Sequence, residues 1–287
     1  MVCLTSSQSE SGLGDVSGAL DSALEACKRA GSAWLASYRE GEAEAGLTPE
    51  YSQHRERIEW IPGMTHLLDL EGLFLLATTV RPQECIVEIG SFCGRATTAL
   101  AFGAGCRDRV VVTVDPHTGD VLQLERLSDT HPSSESALRF HLAFAAVASA
   151  VEVVTSTSLE AAEAFQDPRP VGLLFVDGWH GEDAVAADVA AWSPFLGDDA
   201  IVVFDDWIVP EVMSGIRSAE DQGLLPPRLG RIHRHLIFSS RPRVAPVLPR
   251  LRALAQLSKP PRQYLRERAA RLLPVLAHPV VGPRPVE

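Results

Sequence analysis

Two stretches decide the fold: Leu173–His180, LLFVDGWH, and Ile201–Trp207, IVVFDDW. Each is a short run of consecutive apolar residues that stops at carboxylates. Apolar residues at every position, rather than at alternate ones, predict strands covered on both faces, as in a parallel sheet. Upstream, CIVEI over Cys85–Ile89 ends at Gly90, VVVTV over Val110–Val114 ends at Asp115, and VEVV spans Val151–Val154. Helix-like stretches separate these runs: ATTALAFGAG, residues 134–150, 159–165 and 183–191. Strands of four or five residues alternating with helices of about ten indicate βαβ units, an α/β fold with helices on both faces of a mostly parallel sheet. A last hairpin is predicted near RIHRHLIF, residues 231–238.

The flanks read differently. Residues 1–12 are Ser/Gly-rich, and residues 19–44 place Leu20, Leu24, Cys27 and Trp34 on one helical face. A second, mostly buried helix is predicted over Met64–Val80. From residue 241 onward the chain holds nine of its twenty prolines, and nine Arg and one Lys stand against two Glu. That segment carries about +8 of a net −11, so the remainder is about −19. The expected organisation is therefore an N-terminal helical extension or lid (1–62), a central α/β domain (63–240) and a basic Pro/Arg-rich tail with short amphipathic helices (241–287). The tail reads as a peripheral cap; the sharper alternative is docking to a partner or a membrane surface.

The acidic balance argues against a general nucleic-acid binder, whose affinity comes from cationic contacts to phosphates. Five cysteines, without a CxxC pair, suggest free thiols in a reducing compartment rather than a disulfide frame or a zinc site. No signal-peptide pattern and no run of 18 apolar residues is present, so the expectation is a cytoplasmic protein without a transmembrane segment.

In open parallel sheets ligands sit outside the carboxyl ends of the strands. After β-strand 85–89 comes VEIGSFCG, where Gly90 and Gly94 allow a tight turn and close approach by a ligand. The spacing is not the GxGxxG of dinucleotide sites, which disfavours NAD. Asp115 alone reads equally as a strand-end turn residue before Pro116. Twenty-five residues after Gly90, it becomes a candidate acceptor for two ribose hydroxyls of an adenosine-containing ligand. Ser158 reads as a helix N-cap, with Glu160 in the first turn, or as an adenine contact.

Asp177, Asp205 and Asp206 gather at two strand ends. Within a regular strand the last two would face opposite sides, but where the chain leaves the sheet they can converge. Three clustered carboxylates repel unless a cation neutralises them, and an oxygen-only donor set suits a hard ion such as Mg²⁺. His180, three residues past Asp177, is then placed to take a proton from a hydroxyl made acidic by that ion. Trp179 and Trp207 read as walls of an acceptor pocket or as core.

Together, VEIGSFCG, DGWHGEDAVAADVAAWSPFL and FDDW resemble the class I S-adenosylmethionine-dependent O-methyltransferases of the metal-dependent group, which includes catechol and macrolide sugar O-methyltransferases. The resemblance spans about Met64–Phe238. It implies a Rossmann-like, mostly parallel seven-stranded sheet. It places Glu88, Gly90, Ser91 and Gly94 near the methionine part of the cofactor, Asp115 on the ribose and Ser158 at the adenine. It gives Asp177 to the cofactor and, with Asp205 and Asp206, to Mg²⁺, and it makes His180 the base. Ala96 stands where catechol-type enzymes have a serine, and Gly197–Asp199 replaces their usual turn. The implied reaction moves a methyl group from S-adenosylmethionine to a hydroxyl of a small molecule such as a sugar or catechol, by a monomer or a homo-oligomer. A nucleotide-sugar dehydrogenase is weakened by the missing GxGxxG and Tyr-x-x-x-Lys pair. A non-catalytic cofactor-binding subunit is weakened by the intact Asp/His set.

Overall fold

The protein is described by a computed structural model covering residues 48–108, 110–118 and 133–258. The predicted helix at 19–44, the tail helix beyond residue 258 and the cysteines Cys3 and Cys27 lie outside these residues. Among them, Cys85, Cys93 and Cys106 are free thiols. No described helix is long and apolar enough to cross a membrane.

Two short helices, α1 (Pro49–Ser52) and α2 (Arg55–Glu59), precede the largely buried α3 (Leu67–Ala77). The alternating region follows as β1 (Cys85–Ile89), α4 (Arg95–Gly103), β2 (Val111–Val114), α5 (Ser134–Phe144) and β3 (Val151–Val154). Then come α6 (Ser158–Ala164), β4 (Val171–Val176), α7 (Glu182–Trp192), β5 (Leu196–Phe204) and α8 (Pro210–Asp221). The hairpin β6 (Arg228–Ile232) and β7 (His235–Phe238) leads into α9 (Arg241–Val244) and α10 (Leu248–Leu257).

The seven strands form one sheet in the order β3-β2-β1-β4-β5-β7-β6. The first five are parallel, and β7 runs antiparallel between β5 and β6. This is a Rossmann-like α/β sheet with an antiparallel hairpin at one edge. Successive strand residues point to opposite faces, and the core divides accordingly. Ile86, Leu173, Phe175, Ile201 and Val203 pack with α3, α4 and α10 on one face. Val87, Leu174, Val176, Val202 and Phe204 pack with α7 and α8 on the other.

Three boundaries differ from the sequence expectation. Residues 134–150 are not one helix: α5 stops at Phe144, Ala146 takes a left-handed φ of 59°, and the Val147 amide donates to the Leu142 carbonyl. A left-handed residue that returns an amide to the last turn is a helix stop, here made by alanine instead of glycine. Second, β5 begins at Leu196, so Gly197–Asp199 belong to the strand and not to a turn. Asp199 is held there by Arg81 at 2.5 Å, while Arg243 lies 3.7 Å away. Third, α9 and α10 are built into the domain: Val244, Val247, Leu251 and Leu254 join the main core, and buried Arg243 pairs with Glu84.

Candidate active site

Strand register aligns the site. Ile89 pairs with both Val114 and Val176, Val114 with Val154, and Val176 with Phe204. The next residue of each strand, Gly90, Asp115, Thr155, Asp177 and Asp205, therefore stands in one row along the carboxyl edge. Backbone bonds extend the ladder one step into that row, from Asp177 N to Ile89 O at 2.9 Å and from Asp205 N to Val176 O at 3.0 Å.

Above the row lies a cavity of about 590 Å³, lined among others by Gly90, Ser91, Asp115, Ser158, Asp177, His180, Asp205 and Asp206. Glu88 and Gly94, expected beside a ligand, are not in its lining. Gly94 instead opens α4 with φ +90°, and a Cβ there would meet Leu138 Cδ1 at 2.6 Å. Gly90 has φ +89°, and a Cβ would lie 2.1 Å from the Asp177 carbonyl oxygen. Close packing of β1 against β4 thus demands this glycine, apart from any ligand.

At one end, Asp115 is oriented by the turn it faces. Its Oδ2 accepts from the Ser91 and Phe92 amides at 3.0 and 2.8 Å, and its Oδ1 from the His117 amide at 2.7 Å. Oδ1 keeps a further lone pair for an incoming hydroxyl. Ser158 lines the cavity but is not the N-cap. That role belongs to Thr157, which closes a capping box with Glu160. The T-x-x-E pattern at Thr157–Glu160 carried this signal in the sequence. Ser158 Oγ instead accepts from the indole Nε1 of Trp192 at 3.0 Å.

At the other end the carboxylates converge. Asp206 adopts φ +48°, and this departure from the strand turns consecutive side chains toward a common region instead of opposite faces. Asp177 is set beside Asp205 and Asp206 at the strand ends. Burial, then the charges of Asp205 and Asp206, raise Asp177 well above the usual carboxylate range, against the opposing pull of Arg234. His180 Nε2 lies 4.0 Å from Asp177 Oδ1 and 3.8 Å from Asp206 Oδ2, and it has no hydrogen-bond partner.

Sequence reasoning missed Arg234. From the β6–β7 turn its Nε donates to Asp206 Oδ1 at 2.7 Å, its Nη2 lies 3.4 Å from Asp205 Oδ2, and its Nη1 donates to the Met64 carbonyl at 3.1 Å. The chain itself thus supplies part of the counter-charge to the aspartates. The run His233-Arg234-His235 at a predicted hairpin turn was the available signal. Arg234 also stands among the three carboxylates, which are not gathered within one short donor-to-donor distance. Three carboxylates less one guanidinium leave two negative charges. A hard divalent cation matches that charge and donor type.

Residues 87–207 match a family described as methyltransferase domain. Solved structures similar to it include a cofactor-bound protein from MTB, at 21% identity over 69% of this chain and 92% of that one, with a TM-score of 0.48. A TDP-rhamnose 3'-O-methyltransferase of calicheamicin biosynthesis is 19% identical over 67% and 95%, with a TM-score of 0.44. An O-methyltransferase of tomaymycin synthesis from Streptomyces achromogenes, in complex with SAM, is 18% identical over 69% and 91%, with a TM-score of 0.45.

Two expected residues, Trp207 and Glu88, lie off the cavity. Trp207 packs away from the cavity, donating from Nε1 to the His233 carbonyl at 3.3 Å under the Arg231 guanidinium. Trp179 borders the cavity and is 81% exposed, so it belongs to the rim and not to the core. Glu88 is buried one step below the cavity, with Oε2 accepting from Thr97 and Thr113 at 2.5 and 2.6 Å and Oε1 unpartnered. Burial raises its carboxyl to about 7, the charge of Asp115 adds to this, and the two threonine hydroxyls oppose it.

A raised carboxyl means that the fold disfavours the charged form. Stability on this account is whole below about pH 4.5 and declines as pH rises through about 7. Glu88→Gln, which stays neutral, should therefore gain on the order of 3 kcal/mol over the wild type at about pH 8 and much less at about pH 5. Urea unfolding at the two pH values checks this; equal differences at both would refute it.

Proposed function

We propose that this chain transfers the methyl group of S-adenosylmethionine to a hydroxyl of a small molecule, a sugar, catechol or other secondary metabolite, with Mg²⁺ at the carboxylates. The observation that carries this reading is His180 Nε2, unpartnered on the same cavity that Asp115 and Ser158 line at its far end. Asp115 offers the remaining lone pair of Oδ1 to a ribose hydroxyl, Ser158 borders the adenine, and Gly90 and Ser91 pass beneath the methionine portion. Asp177, Asp205 and Asp206 would hold the cation, which when bound would supply Lewis acidity toward a substrate hydroxyl, and Asp177 also faces the cofactor. His180 removes the hydroxyl proton at Nε2, and the oxygen attacks the methyl carbon in line with the departing sulfur. Arg234 neutralises part of the carboxylate charge and ties the 62–65 segment over the site through the Met64 carbonyl. Because the sulfonium methyl is already reactive, positioning supplies much of the acceleration. The test is transfer of labelled methyl from S-adenosylmethionine to a panel of glycosides and catechols, with the label expected on a hydroxyl oxygen.

A further inference from the structure

Behind Asp205 lies a second polar cluster that the proposed chemistry does not use. Asp69 of α3 is completely buried, and its Oδ2 meets His233 Nδ1 at 2.7 Å while its Oδ1 accepts from the Arg234 amide at 3.2 Å. His235, 1% exposed, stands between two carboxylates: Nδ1 is 3.8 Å from Asp69 Oδ1, and Nε2 is 3.5 Å from Asp205 Oδ1. Its ring packs edge-on against Phe175, with centroids 5.2 Å apart. Both Nε2 of His235 and Oδ1 of Asp205 are buried without a hydrogen-bond partner, and they face each other. The two carboxylates address opposite nitrogens of one ring. A single ion cannot take both nitrogens, whereas an imidazole set between the two acids can donate its one N–H to Asp205.

We propose that His235 is a positioning residue for Asp205. Held by Asp69 on one side and by Phe175 in its plane, the imidazole donates from Nε2 to Asp205 Oδ1 and leaves Oδ2 directed at the cavity. The chain thereby ties α3, which follows the segment roofing the cavity, to the carboxylate pair on β5. This rests on the reading of Asp205 as a ligand of a divalent cation, and outer-shell partners of ligating carboxylates set metal affinity.

The test uses Mn²⁺ as a paramagnetic probe of the full chain, with S-adenosylhomocysteine binding measured by calorimetry alongside. His235→Phe keeps the ring and removes the donor, and it should weaken Mn²⁺ binding roughly 10- to 100-fold with S-adenosylhomocysteine affinity unchanged. His235→Gln places an amide donor near the lost Nε2 and should recover most of the affinity. Asp69→Asn, which loosens the ring without touching Asp205, should give an intermediate loss, and it decides the matter if His235→Phe does not fold. Wild-type Mn²⁺ affinity in both His235→Phe and Asp69→Asn overturns the proposal alone. Equal loss of Mn²⁺ and S-adenosylhomocysteine binding also overturns it, because that is collapse of the site and not positioning. A wild type that binds no Mn²⁺ overturns the metal reading, and this proposal with it.

Discussion

His180→Gln is expected to lower methyl transfer roughly 10²- to 10⁴-fold, the usual contribution of a positioned base. The affinity for S-adenosylmethionine should be unchanged. The reasoning is geometric. His180 follows Asp177 by three residues on the loop leaving β4, and its Nε2 faces Asp177 and Asp206 at 4.0 and 3.8 Å without a hydrogen-bond partner. Glutamine keeps much of the volume and the polarity but cannot take up a proton near neutral pH. The loss should therefore fall on turnover, read from the rate with labelled cofactor at saturating acceptor. A variant with wild-type turnover would remove His180 as the base.

Gly90→Ala should be the most damaging single methyl addition in the domain. Two costs combine. A φ of +89° is a backbone state that alanine adopts only with strain, and the new Cβ would sit 2.1 Å from the Asp177 carbonyl oxygen. That oxygen belongs to the residue bonded through its amide to Ile89 O at 2.9 Å, so relief requires β1 and β4 to part at the center of the sheet. Interiors are close-packed and transmit such strain. The expected loss is about 4 kcal/mol or more, a large share of a typical domain's stability. Urea unfolding measures it, or failure to obtain soluble protein announces it. A loss below about 1 kcal/mol would show that the turn can shift without cost.

Why were some parts of the site legible and others not? The strand ends announced themselves because a parallel strand buried on both faces is apolar throughout, so a carboxylate at its end is conspicuous. VVVTV before Asp115, LLFV before Asp177 and IVVF before Asp205 each obeyed this rule, and register then placed the three in one row. The polar groups that come from other layers were invisible for the opposite reason. Arg234 reaches Asp206 across 28 residues, and the Arg234 amide reaches Asp69 across 165, distances over which periodicity says nothing. Glu88 was misplaced because a strand pattern gives the face of a residue but not its depth. Its side chain turns toward Thr97 and Thr113 below the cavity. Ser158 was mistaken for the cap by one position, although the Thr157–Glu160 box was readable. Trp179 drew attention as part of DGWH, yet its exposure makes it a rim residue whose partner is whatever enters the cavity.

The central claim is that one cavity holds the cofactor at Asp115 and activates a hydroxyl at His180. The measurement that tests it most directly is transfer of labelled methyl from S-adenosylmethionine to the panel of glycosides and catechols, run with Mg²⁺ and again with a chelator. The account predicts label on the oxygen of at least one hydroxylated acceptor, and a rate that falls sharply when the metal is removed. Label found on nitrogen or carbon, or on no acceptor while the cofactor demonstrably binds, would contradict it.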